Sequence, residues 1–164
     1  MLVLMSVNLN AMDAGKALAE WTLQKPALHV LDSRLLADSA AYLNTITTPQ
    51  ASIAVVEAGV LPYFLDRTCI DLLGKSDRFI AHLPMHTEYG WYPGHLKWNT
   101  AHSVGDLKPD VIAPGASGVL WLQIARSDGD DAYLAAYQQM QVGEHTYYFR
   151  KGSPNINWQA LPQN

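Results

Sequence analysis

Acids and bases gather in this chain where its apolar runs stop, and that pattern could carry chemistry. Glu57 follows the run at 52–56, Asp71 lies inside the run at 69–73, and Asp77 and Arg78 come just after its closing Gly74. Carboxylates at strand exits can bind a ligand, exchange protons, or cap the loops in which they stand. In the last case Arg67 and Arg78 would neutralise them in ordinary ion pairs. Four of the six histidines, His82, His86, His95 and His102, fall within twenty-one residues, close to Asp71, Asp77 and Glu88. Imidazole beside carboxylate can hold a divalent metal or pass protons near neutrality. However, Pro84 interrupts the four-residue spacing of His82 and His86, and no Glu stands between them as in a zinc helix. Surface or hydrogen-bonding histidines are therefore expected, with no metal.

The run Tyr89-Gly-Trp-Tyr-Pro-Gly-His-Leu-Lys-Trp98 supplies a second kind of chemistry. Trp91, Tyr92 and Trp98 offer flat rings that can stack on the apolar face of a sugar, while His95 and Lys97 can meet its hydroxyls. The same rings could equally form a lid over a small core. Around Ser117 there is no Gly-x-Ser-x-Gly elbow, and the chain has neither a Walker loop nor Gly-x-Gly-x-x-Gly, so no nucleotide cofactor is expected.

Alternating elements would have to position these groups. A helix over 13–24 is predicted from Ala14, Ala17, Leu18 and Trp21 on one face, ended by Lys25-Pro26. Residues 28–31 read as a strand. Asp32 or Ser33 then caps a helix striped by Leu35, Leu36, Ala40 and Leu43. The β-branched run at 52–56 and a second buried run at 69–73 read as core strands, and Pro62 opens a short helix or turn bearing Tyr63 and Phe64. Ser76 is placed as the N-cap of a helix to His82. A long aromatic loop follows over 83–98, with a short helix predicted from Pro93 to Asn99. Residues 103–107 read as helical, 110–113 as a strand, 119–125 as a buried strand or short apolar segment, the stretch from Asp130 or Asp131 to Met140 as a helix, and 144–151 as an exposed alternating strand. Helix–strand alternation of this kind predicts an α/β fold with a mostly parallel or mixed central sheet flanked by helices.

With 164 residues, 49% hydrophobic and 16% charged, the chain suits one domain with a filled core. A formal net charge of −4 argues against nucleic acid, whose phosphates call for clustered Lys and Arg. Cys69, the single cysteine, stands among apolar neighbours and reads as an inert buried thiol. The apolar opening at 1–7 is too short for a membrane span and lacks the basic start of a signal peptide. It reads either as an N-terminal strand or as the stub of a transmembrane helix.

Four segments in order carry a family resemblance: Glu57-Ala-Gly-x-x-Pro-Tyr63, Ile70-Asp-Leu-Leu-Gly-Lys-x-Asp-Arg-x-Ile-Ala81, Pro93-Gly-His-x-Lys97 and Lys108-Pro-Asp-Val-Ile112. Together they resemble the C-terminal extracytoplasmic domain of GT-C class membrane glycosyltransferases, the arabinofuranosyltransferase and mannosyltransferase-like enzymes that use polyprenyl-phosphate sugars. The resemblance covers roughly residues 8–112. It implies an accessory domain on the outer or periplasmic face, tethered to a transmembrane catalytic domain and meeting a glycan or lipid-linked sugar acceptor. The family's catalytic carboxylate lies in a loop of the membrane bundle and has no counterpart here, so no catalytic residue is assigned. Ligand contact is expected from Glu57, Tyr63, Asp71, Asp77, Arg78, Trp91, Tyr92, His95, Lys97 and Trp98. Two other readings stay open: a free-standing hydrolase or transferase using Asp71 and Asp77 with His82 or His95, and a purely structural interaction module.

Overall fold

The structure, a computed structural model, describes residues 19–20, 22–27, 29–90, 93–115 and 131–162. The chain divides into two compact units, residues 1–35 and 36–164. Within the first, Ala19 and Glu20 are helical, and the chain turns as the amides of Gln24 and Lys25 donate to the Ala19 carbonyl. That turn ends the helix predicted over 13–24, whose earlier part lies outside the described residues.

Helix α1 covers Val30–Ile46. The predicted strand at 28–31 is thus corrected: Val30 and Leu31 belong to the helix, and Leu28 lies outside the described residues. Three apolar residues in four cannot by periodicity alone be told from the first turn of a helix, and the stripe of Leu36, Ala40 and Leu43 carries the helical pattern onward. Strand β1 (Ser52–Val55) then leads through helix α2 (Val60–Phe64) to β2 (Thr68–Asp71). Helix α3 (Arg78–Ala81), a π-helical turn (Ala101–Asp106) and strand β3 (Val111–Ile112) follow. After the undescribed residues 116–130, which include the strand or apolar segment predicted at 119–125, come α4 (Asp131–Leu134), β4 (Tyr137–Val142) and β5 (His145–Arg150).

These strands form one mixed sheet in the order β2-β1-β3-β5-β4. β1 runs parallel to both β2 and β3, pairing Val55 with Asp71 and Ile53 with Val111, while β5 is antiparallel to β3 and β4. The expected α/β class with a mixed sheet is the one found. The helix predicted over 131–140 stops at Leu134, and its second half is β4. Tyr137 and Met140 are buried three residues apart with glutamines between them, a spacing that imitates a helical stripe. The partner strand decides the matter, because six register pairs join β4 to β5 around a tight Gly143-Glu144 turn in which Gly143 takes φ 59°. β5 shows the predicted alternation, yet it lies inside the sheet, and Tyr147 and Phe149 are fully buried rather than exposed.

Alternation along β1 divides the core. Ile53 and Val55 face a cluster with Leu36, Ala40 and Leu43 of α1, Leu61 of α2, Val111, Tyr147 and Phe149. Ala54 and Val56 face a second cluster with Ile70, Leu72, Trp98, Val104 and Ile112. Below the sheet, at the amino ends of β1 and β3, buried Asp110 joins three segments. Its carboxylate accepts from the Ser52 amide at 2.9 Å, Ser153 Oγ at 2.6 Å, Asn155 Nδ2 at 3.1 Å and the Arg150 guanidinium. Among the described residues, no helix is long and apolar enough to cross a membrane.

Candidate functional site

Because β1, β2 and β3 are parallel, their carboxyl ends open on one edge of the sheet. The chain passes from β1 outward to β2 and returns to β3 on the other side of β1, so strand order reverses between β1 and β3. Ligands of open α/β sheets gather in the crevice at such a reversal. Glu57 stands there, two residues past β1 and half-buried. Its carboxylate lies so close to the exit of β3 that a Cβ placed on buried Gly115 would meet both carboxylate oxygens at 3.1 Å. A glycine at 115 is what lets the Glu57 side chain lie against that backbone.

On the β2 side, the carboxyl edge holds a cavity of about 10 Å³, lined by Val56, Leu72, Leu73, Trp98, Asn99, Thr100 and Ser103. The walls come from three sources: the residues that leave β1 and β2, the end of the aromatic loop, and the π-helical turn. A π-turn is an uncommon local geometry that recurs at functional sites. This one turns Ser103 and Val104 inward, leaving Ser103 Oγ buried with no hydrogen-bond partner among the described residues.

Beside the cavity stands a carboxylate–imidazole pair. Asp77 is the N-cap of α3, and its Oδ1 accepts from the Ile80 amide at 3.0 Å. This moves the predicted cap from Ser76 to Asp77. The other oxygen, Oδ2, lies 3.4 Å from His102 Nε2, and both side chains are largely buried. Phe79 packs against the imidazole with ring centres 4.3 Å apart. A carboxylate on Nε2 orients the ring and favours a proton on that nitrogen, the arrangement found wherever an imidazole is poised for acid–base work or hydrogen bonding.

Other expected residues take plainer roles. Asp71, 3% exposed, accepts from the Leu73 amide at 2.9 Å and from the Ser76 amide and hydroxyl at 2.5 and 3.0 Å. Its capacity is spent on closing the β2–α3 loop, the loop-capping role weighed from the sequence. Arg67 lies at the opposite end of β2 and donates to the carbonyls of Asn44, Thr47 and Asp66. Exposed Arg78 forms no ion pair with Asp71 or Asp77, nor does Lys97, whose ammonium donates to the Ala81 carbonyl at 2.5 Å and ties the aromatic loop to α3. The two acids therefore share an edge with Glu57 but not the basic partners foreseen for them.

Trp98 is 5% exposed, and His86 stacks on it with ring centres 3.9 Å apart and planes 11° from parallel. Its indole belongs to the core and contributes a wall rather than an open stacking face. No helix forms between Pro93 and Asn99; His95 Nδ1 lies 2.9 Å from the Pro93 carbonyl oxygen across that stretch. Trp91 and Tyr92 lie outside the described residues. Tyr63, 82% exposed and edge-on to Phe64, sits on α2, which packs on the other face of the sheet from the cavity. His82 is exposed, with Nδ1 2.7 Å from the Arg78 carbonyl oxygen. Burial raises the pKa of the Cys69 thiol above its ordinary value, as suits an inert cysteine. Among the described residues, no three His, Cys, Asp or Glu side chains converge as metal ligands.

Sequence reasoning did not place His102 or Ser103 at the site. His102 carried a weak signal as one of the clustered histidines; a lone serine in a mixed, aperiodic stretch carried none. The fold and this edge together define an α/β domain with a polar-rimmed crevice at its parallel strand ends. Residues 21–157 match the family described as Domain of unknown function (DUF8728), and the chain belongs to it. No curated protein and no solved structure matches the chain.

Proposed function

We propose that the chain is a sugar-binding accessory domain that presents its carboxyl edge to a glycan or lipid-linked sugar acceptor and leaves catalysis to a membrane partner domain. The observation that carries this reading is the gathering of Glu57 and the Asp77–His102 pair at the carboxyl edge of the sheet, with the Lys97 ammonium tied to α3 and a small, mainly apolar cavity at the exits of β1 and β2. Carboxylates, imidazole and ammonium beside an apolar wall suit a ligand that is hydroxylated on its rim and apolar on its ring faces. The resemblance of four segments to the outer domains of GT-C glycosyltransferases suggests the same class of ligand and an extracytoplasmic setting. Calorimetric titration with arabinan and mannan oligosaccharides tests it. The native chain should bind one of the two, and Asp77→Asn, which keeps a capping side chain but removes the charge, should weaken binding while leaving the melting temperature nearly unchanged. No heat of binding with either glycan would overturn the proposal.

A second reading rests on the Asp77–His102 pair, which could serve a free-standing hydrolase or transferase as an oriented base. It predicts turnover of glycan or ester substrates by the chain alone, lost in His102→Gln.

A further inference from the structure

We infer that the cavity at the carboxyl ends of β1 and β2 is a binding site for a single neutral hydroxyl oxygen, anchored by Ser103: a water, or an alcohol group of a ligand in its place. The assignment stands on the cavity alone and does not need the glycan reading. Ser103 is 1% exposed and its Oγ is buried without a partner among the described residues, although a hydroxyl both donates and accepts. A buried hydroxyl left unpaired is destabilising, and native proteins resolve such groups with protein partners or ordered water. The cavity that Ser103 lines measures about 10 Å³, room for a single water and for little more.

A bound oxygen needs further polar neighbours, and the same lining supplies them. Asn99 uses its carboxamide oxygen to accept from the His102 amide at 2.8 Å, which leaves its NH2 group as a donor. Thr100 contributes a second hydroxyl-bearing side chain to the lining. The apolar residues Val56, Leu72 and Leu73 make up much of the remaining lining and make the site unsuited to an ion, whose charge they could not solvate. Ser103 belongs to the π-helical turn, Thr100 is its N-cap and Asn99 precedes it, so one short segment supplies all three polar residues of the lining. The occupant is therefore neutral, small and hydrogen-bonded, and it supplies what the Ser103 hydroxyl lacks.

Water-to-protein nuclear Overhauser measurements on the native chain, together with a high-resolution crystal structure, test the site without any variant. An ordered oxygen at about 2.7–2.8 Å from Ser103 Oγ is expected. Its loss on adding a saturating pentose such as arabinose identifies a ligand hydroxyl as the alternative occupant, and its persistence identifies water as the resident. A dry cavity, with Ser103 Oγ turned to a protein carbonyl, overturns the inference. Ser103→Ala gives a second measure. Loss of a bound oxygen should lower the melting temperature by about 2–4 °C, whereas removal of a hydroxyl with nothing bound to it should leave the value unchanged or raise it, and that result also overturns the inference.

Discussion

Asp110 offers the most quantitative test of how the fold is held. Burial alone would raise its pKa, but hydrogen bonds from Ser153, the Ser52 amide, Asn155 and Arg150 outweigh that and hold the carboxyl below the ordinary carboxylate value. Asp110→Asn removes the charge while keeping the shape, and it turns an NH2 group toward partners that are themselves donors. Breaking a buried charge pair costs about 3–5 kcal/mol. The Arg150 side chain is 31% exposed and can rehydrate, so the lower end, about 3 kcal/mol, applies. For a chain of this size that corresponds to a melting temperature lower by roughly 6–12 °C. The sign with pH follows from the depressed pKa. Asp110 contributes stability that is fully present above the unfolded-state value of 3.8 and is lost as pH falls below it toward the folded-state value. The gap between native and variant chains should thus be widest near neutrality and narrow in acid. Urea unfolding of both chains from neutral pH down to about pH 3 measures it. A gap that stays constant through acid would refute the electrostatic account and leave only a packing effect.

Further predictions concern the carboxyl edge. Trp98→Ala should destabilise the chain by about 3–5 kcal/mol, as removal of a buried aromatic does, and a ligand-facing ring would show far less in the same thermal melt. Gly115→Ala should cost at most about 1 kcal/mol, since the added methyl meets the end of the half-buried Glu57 side chain, which has to shift by only a few tenths of an ångström. Adding Glu57→Ala should recover much of that loss, and a double-mutant cycle in denaturant that shows simple additivity would sink the close contact. Asp77→Ala, unlike Asp77→Asn, should lose about 1 kcal/mol of capping energy, read from the same melts. Incubated alone with polyprenyl-phosphate sugars and acceptors, the chain should transfer no sugar; turnover above a heat-killed control would favour the free-standing enzyme.

The legible parts of this fold are those in which a local pattern and its tertiary setting agree. The runs at 52–56 and 69–73 are short, mainly apolar and bounded by turn residues, and both supply parallel strands. At 28–31 and 131–140 the local pattern was ambiguous. Val30 and Leu31 are decided by the helix that continues past them, and β4 by a partner strand that no window around Met140 contains. The site divides in the same way. Glu57, Asp71 and Asp77 could be assigned to strand exits from sequence because exits follow from strands. Whether a carboxylate faces a crevice or a turn depends on neighbours remote in the chain. Asp71 meets Ser76 nearby, whereas Asp77 meets His102, 25 residues on. Ser103 could not be foreseen, since its burial arises from a π-turn whose extra residue shifts which side chains point inward.

The Asp110 junction also sets an order on folding. The β4–β5 hairpin is local and can close in microseconds, but Ser52 meets Asp110 across 58 residues, and Ser153 meets it from 43 residues on the other side. During synthesis, β1, β2 and β3 emerge before the hairpin and before any of the C-terminal donors to that carboxylate. Until Arg150, Ser153 and Asn155 leave the ribosome, the amino ends of β1 and β3 can come together only by bringing a charge out of water with the Ser52 donors alone. A nascent chain that stops short of Ser153 should therefore keep β1 and β3 apart, and completion of the last segment becomes the event that joins them.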